Sequence, residues 1–223
     1  MPYAELLRDL LARNGLAADV ANHSTWMGTA RDAVRDWPVA VWAAWPDLVV
    51  IHHGVNEARS LILPPFLHRT AWTFDRSDRR AERHLINRLR GAWPRLGRMA
   101  SRWDHARIPG HLAPTRFGQQ MARVVAQTTA HTQAVCVVIG LNPVNDILLR
   151  LGGEYPTRRA RLMEQLENVV SSRPRVEMVR LEEIEAEVGD SRRTFPDGIH
   201  LSPLAHRLVA HRIAELYHRM ATV

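Results

Sequence analysis

Asp47-Leu48-Val49-Val50-Ile51-His52-His53 is the stretch on which the fold turns. Four consecutive apolar residues, three of them β-branched, give a strand with no polar face, and such a strand belongs inside a parallel sheet covered on both sides. The same pattern recurs at Ala134 to Gly140, and Arg175 to Val179 and Ala17 to Asn22 read as shorter strands. Between these runs the apolar residues follow helical spacing. Tyr3 to Asn14 puts Leu6, Leu7, Leu10 and Leu11 on one face and stops before Gly15. Thr29 caps a helix carrying Ala33, Val34 and Trp37, which Pro38 breaks or kinks. Further helices are expected at Arg158 to Val170 and Leu204 to Met220. Strands alternating with helices make the class α/β.

At 223 residues and 46% hydrophobic composition, the chain fits one domain, 1–223, with a core of useful size. A long, mainly helical insertion occupies about 58–131. It holds a helix near Arg79 to Arg90, a Pro/Gly-rich connection at Ile108 to Pro114 and a helix near Arg116 to Ala130. Trp72, Phe74, Trp93 and Trp103 lie within it, either as a lid over an acyl or sugar group or as core packing. Trp37, Trp42 and Trp45 are read as core and rim packing.

The net charge is +7, and all 30 basic residues are Arg. The densest run, Arg76 to Arg98, is interrupted by Asp75, Asp78 and Glu82 and has no aromatic platform, so it reads as a solvated helix; nucleic acid is not the expected partner. The lone Cys136 sits inside an apolar run, which excludes an intramolecular disulfide and a Cys-rich metal site and makes it a packing residue. No run approaches the roughly 18 apolar residues of a membrane span. Glu5, Arg8 and Asp9 stand where a signal peptide needs an apolar run, so the expected location is cytoplasmic.

In open parallel sheets, ligands bind beyond the carboxyl ends of the strands. There the chain places Asn22 to Gly28, then Gly54 and Asn56, then Asn142 and Pro143, and finally Asp197 and His200. An Asp three residues before a His on one turn can take the Nδ1 proton, leaving Nε2 outward as a general base. Gly28 and Gly54 let backbone approach a ligand, and the Asn56 amide suits a developing oxyanion. His52 and His53 are adjacent in a strand and point to opposite faces, so they do not chelate one ion together; no metal or organic cofactor is expected. His206, His211 and His218 read as surface residues. Ser24 is the best-placed hydroxyl on the rim, with support of the turn as its plainer role; Ser202 reads as a helix cap before Pro203, and Ser60 and Ser191 have no base placed by sequence.

The run Pro46 to Asn56 resembles the strand and Gly-x-Asn block of the SGNH (GDSL) hydrolases, and Asp197-Gly198-Ile199-His200 resembles their closing Asp-x-x-His block. Asn22 to Gly28 is similar to the family's second block. The resemblance implies a flavodoxin-like three-layer α/β/α sandwich with a mostly parallel sheet. It implies His200 as base, Asp197 as its orienting partner, Gly28 and Asn56 as oxyanion donors, and a small-molecule, carbohydrate or lipid ester as substrate. Glu57 stands where the family usually has Asp. The family's first block, a strand ending in Gly-Asp-Ser with the nucleophile, has no match. The expectation is therefore an ester or acyl hydrolase lacking its first, central strand and its serine in this sequence. The alternative is an inactive relative that binds a ligand or a partner protein. Unpaired backbone groups at such a gap cost about 1–3 kcal/mol each, so a sheet left open there invites self-association.

Overall fold

Chain segments that are apolar on every side can be buried only between two covering layers, and the two such runs, at Leu48–Ile51 and Val135–Ile139, form one sheet with the shorter Val176–Val179. In the computed structural model, which describes residues 2–24, 28–58, 114–151 and 154–221, β1 (Leu48–Ile51), β2 (Val135–Ile139) and β3 (Val176–Val179) pair in parallel in that order. Val49 lies opposite Cys136, and Val138 opposite Met178. β2 is central and wholly buried, whereas Leu48, Val49 and Val50 of β1 are only half-buried. Among the described residues β1 pairs with β2 alone, so its other edge is open.

The alternation of β2 assigns the layers. Val135, Val137 and Ile139 face α1 (Tyr3–Arg13), α7 (Leu181–Val188) and α9 (Pro203–Ala221) through Leu7, Leu11, Ile184 and Ile213. Cys136 and Val138 face α2 (Ala30–Trp37), α4 (Pro114–His131) and α6 (Tyr155–Ser171) through Trp37, Phe117, Met121, Leu162 and Leu166. The result is a three-layer α/β/α sandwich. Short helices α3 (Val55–Ala58), α5 (Asp146–Leu151) and α8 (Ser191–Thr194) fill connections on the way. Cys136 is fully buried, and burial pushes its thiol up to about 12.

Two expectations are corrected. Ala17 to Asn22 forms no strand, because a strand exists only by pairing and among the described residues none lies alongside to accept its ladder; Ala18 still packs on the α1 side of the core. Trp37 is core, its Nε1 donating to Thr128 Oγ1 at 3.0 Å, but Trp42 and Trp45 are exposed beyond the π-type turn Pro38–Trp42 that continues α2. The expected elements between 59 and 113, the lid aromatics and the Arg76 to Arg98 run lie outside the described residues.

Candidate active site

β1 and β2 end side by side, and the loops leaving them set the geometry. After β1 the chain turns at Gly54, whose φ of +117° disfavours any side chain and whose Cβ, if present, would sit 2.9 Å from Phe117 Cζ and 3.2 Å from Leu141 Cδ1. That close approach locks the β1 loop against the first turn of α4 and against the residue that follows β2. α3 then presents Asn56 and Glu57, both buried, toward the start of α2. Asn56 Nδ2 donates to the Gly28 carbonyl at 2.8 Å, and its second amide hydrogen has no partner among the described residues.

Glu57 fixes the same junction from below. Its Oε1 accepts the Ala30 N–H at 2.7 Å, satisfying one of the orphan donors at the amino end of α2, while Oε2 is buried with no hydrogen-bond partner among the described residues. Burial pushes this carboxyl up to about 7, with Asp32 adding to the effect and the Ala30 N–H opposing it. Thr29 binds Asp32 through both its N–H and its hydroxyl, at 2.9 and 2.8 Å. Gly28 is thereby held between the β1 loop and the α2 cap.

The second half of the site is the turn before α9. Asp197 Oδ1 accepts the N–H groups of Ile199 and His200 at 2.9 and 2.7 Å, which leaves Oδ2 free to meet His200 Nδ1 at 2.5 Å. Partial burial pushes the Asp197 carboxyl up, but the His200 ring and the two backbone donors outweigh it and hold the group below its ordinary value. Both side chains are exposed, and among the described residues His200 Nε2 meets no hydrogen-bond partner. The pair therefore has the tautomer geometry of a general base whose reactive nitrogen faces solvent.

Sequence reasoning named Asn142 as a rim residue without seeing its task. It is a buried node: its carbonyl accepts Tyr155 Oη at 2.8 Å and Arg159 Nε at 2.7 Å, and its amide donates to the Ile199 carbonyl at 2.6 Å. Asn145, three residues on, donates to the Gly198 carbonyl at 2.9 Å while its oxygen caps α5. The Asn-Pro-Val-Asn run directly after a buried strand is the only signal that could have pointed to both. Through Gly54, Leu141, Asn142 and Ile199, a continuous chain of contacts connects the loop of Asn56 to the turn of His200. The two pairs share one rim but do not touch each other.

The remaining residues fall out as follows. Ser24 is exposed, its N–H received by Asn22 Oδ1 at 2.9 Å, and it makes no bond to His200. Ser202 caps α9 by accepting the Ala205 N–H at 3.2 Å. His52 and His53 do face opposite ways: His52 meets the Tyr3 ring at 6.2 Å and is pushed down to about 4 by burial and by His53 and His206, whereas His53 is pushed down by burial, with the Gly28 backbone and the charges of Asp32 and Asp36 opposing the shift. His206 is not simply a surface residue, since its Nδ1 accepts the Tyr3 N–H at 3.2 Å and its ring packs on Tyr3. Among the described residues no cluster of side chains is arranged to hold a metal ion, and no helix is long and apolar enough to cross a membrane.

No protein-family model matches the chain and no curated protein matches it by sequence. Solved structures do. The chain is similar to LAE5, an α/β hydrolase from the metagenome of Lake Arreo, Spain, with a TM-score of 0.63 and 15% identity, over 98% of this chain and 82% of that one. It is also similar to Axe2, an acetylxylan esterase from Geobacillus stearothermophilus, with a TM-score of 0.60 and 15% identity, over 97% and 81% of the two chains. Variants of a serine, an aspartate and a histidine of Axe2 are described as catalytic mutants, the aspartate standing three residues before the histidine. At this identity the likeness is one of fold: the chain shares the α/β architecture of these enzymes.

Proposed function

We propose that this protein is an ester or acyl hydrolase of the SGNH type, in which His200 is the general base, Asp197 its orienting partner, and Gly28 and Asn56 the oxyanion donors. The observation that supports it best is the Asp197–His200 pair at 2.5 Å on the same sheet rim as the Asn56–Gly28 contact. The Asp-x-x-His spacing shared with the histidine and aspartate of Axe2 adds to it. The reaction needs a nucleophile within reach of His200 Nε2. We place it on a serine at the end of a strand pairing with the open edge of β1, which would bring the hydroxyl between His200 and Asn56. His200 would take the serine proton as the ester carbonyl is attacked; the oxyanion would be held by the Gly28 N–H and the Asn56 amide; the alcohol would leave with the proton, and water would release the acyl group by the reverse sequence.

Labelling of the protein from its natural source with a fluorophosphonate, followed by mass mapping, tests this. A single labelled serine, with labelling lost in His200→Ala, is the expected result. A second reading, a ligand-binding protein without turnover, is favoured by the absence of any hydroxyl bonded to His200 among the described residues. Absence of both labelling and turnover of acetyl esters would leave that reading in place of the first.

A further inference from the structure

β1, β2 and β3 all begin at the end of the sheet opposite the His200 turn, and the connections leading into them lie side by side there. The Asp47 carbonyl accepts the Val135 N–H at 2.8 Å, the Arg175 carbonyl accepts the Cys136 N–H at 2.9 Å, and Arg175 Nη1 donates to Gln133 Oε1 at 3.0 Å. Neighbouring strands are about 5 Å apart, so the three approaches fall within about 10 Å. α1 ends here as well, because Tyr3 at its other end packs on His52 and His206; Arg13 and the exposed Leu16 come with it. Among the described residues only Trp45 and Arg175 have left-handed backbone without being glycine, with φ of +46° and +61°, and they precede β1 and β3. Trp45 stands where the π-type turn stops, its N–H on the Val41 carbonyl at 2.9 Å, a position that glycine fills without strain. No packing offsets that strain: Trp45 is 64% exposed, Trp42 56% and Val39 69%.

Charge completes the pattern. Pro38 to Pro46 contains no charged residue, so the exposed side chains form an uncharged apolar patch. Beside it, among the described residues, Arg13, Arg173 and Arg175 bond only to backbone carbonyls, Ser172 and Gln133, and Asp47 is the single carboxylate in the three connections. Strained backbone that holds large apolar groups out in solvent points to a partner. Trp42, Trp45 and Val39 expose roughly 400 Å², about half of the 800 Å² that each side gives to a stable protein–protein interface, so the patch is too small to hold a second copy by itself. Tryptophan beside unpaired arginine suits an anionic lipid surface, where indole rings sit at headgroup depth and guanidinium groups meet phosphates. We infer that this end of the sheet docks on an anionic bilayer surface, with Trp42 and Trp45 entering the headgroup layer and Arg13, Arg173 and Arg175 on the lipid phosphates. The face lies opposite His200, so docking leaves the proposed site open to solution and does not depend on the chemistry proposed there.

Flotation of the 223-residue chain with vesicles of phosphatidylcholine, alone or with about a third phosphatidylglycerol, tests this. Partitioning should be roughly tenfold or more stronger onto the anionic vesicles, weaken at high salt, and fall roughly tenfold or more in the Trp42→Ser, Trp45→Gly double variant. That variant should melt no lower than the parent, because glycine relieves the left-handed strain at position 45, so unfolding does not account for the loss. The Arg13→Gln, Arg175→Gly variant should lose the preference for anionic over neutral vesicles. Absence of flotation with anionic vesicles, equal flotation with neutral ones, or undiminished binding in the tryptophan variant overturns the proposal. So does binding of soluble polyglutamate without binding of vesicles, which would make the partner an acidic protein. A dimer in sedimentation that dissociates in the tryptophan variant, again without vesicle binding, would give the face to a second copy and overturn it too.

Discussion

The side-chain amide of Asn56 donates to the main-chain carbonyl of Gly28 across 2.8 Å, tying the loop after β1 to the residue that precedes the cap of α2. The bond aligns the two groups proposed for the oxyanion, and it is partly buried. Asn56→Ala should therefore lower stability by about 1–2 kcal/mol in urea unfolding, and Asn56→Asp by more, because a carboxylate would face the Gly28 carbonyl. In an ester-hydrolysing form, Asn56→Ala should also reduce kcat by about 10²–10³-fold. An Asn56→Asp variant as stable as Asn56→Ala would show that the contact does not hold the junction.

Glu57 makes stability depend on pH in an unusual direction. Its folded-state value of about 7 lies above the ordinary 4.5, so between those two pH values the folded chain holds a proton that the unfolded chain has released. Stability should fall as pH rises through this window, by up to about 3 kcal/mol, and level off above pH 7. Glu57→Gln keeps an acceptor for the Ala30 N–H and cannot ionise, so it should melt higher than the parent at pH 8 and alike at pH 4.5. Parallel melting curves across that range would remove the buried carboxyl as their cause.

Asp197 acts in the opposite sense. Held below its ordinary value, it contributes to the folded state above the unfolded carboxylate range, and that contribution is lost as pH falls through its depressed value. Exposure keeps the effect on stability small. In the proposed hydrolase its larger effect would be chemical: Asp197→Asn would turn an acceptor for the imidazole N–H into a group that favours the wrong tautomer, and kcat should drop by about 10³–10⁴-fold. Unchanged kcat in that variant would take His200 out of the reaction.

Gly198 has a φ of +81°, and a Cβ there would lie 2.6 Å from Ile147 Cβ. Gly198→Ala combines backbone strain with a clash against a fixed neighbour and should cost about 2–3 kcal/mol. Asn142→Ala removes the donor on Ile199 and should cost about 1–3 kcal/mol. Both variants should loosen the turn carrying His200, seen as lost definition of the His200 Nδ1 proton signal by NMR. If that signal persisted in both variants, the turn would be self-supporting.

Much of the layer architecture was legible because it is written in local periodicity. Val135 to Ile139 could only be a covered strand, and the apolar spacing of Leu7 and Leu11 only a helix against it. The Asp197–His200 pair was equally local, three residues on one turn. Ala17 to Asn22 failed as a strand because pairing depends on a neighbour, which no property of the six residues reports. The short helices α3, α5, α7 and α8 were missed because segments this short owe their form to what they pack on.

Burial, charge balance and partnership were decided by tertiary structure. Glu57 became a buried cap for α2, and His206 turned inward onto Tyr3. Asn142 and Asn145 took hold of the turn carrying His200 from another loop. By itself the sequence determined the three paired strands, the longer helices that cover them and which acid stands beside which imidazole, since those follow from residues within a turn or a strand length. Only the folded chain decided which distant loops share a rim and which carboxyl is buried, because dielectric surroundings and hydrogen-bond partners arise from groups far apart in sequence.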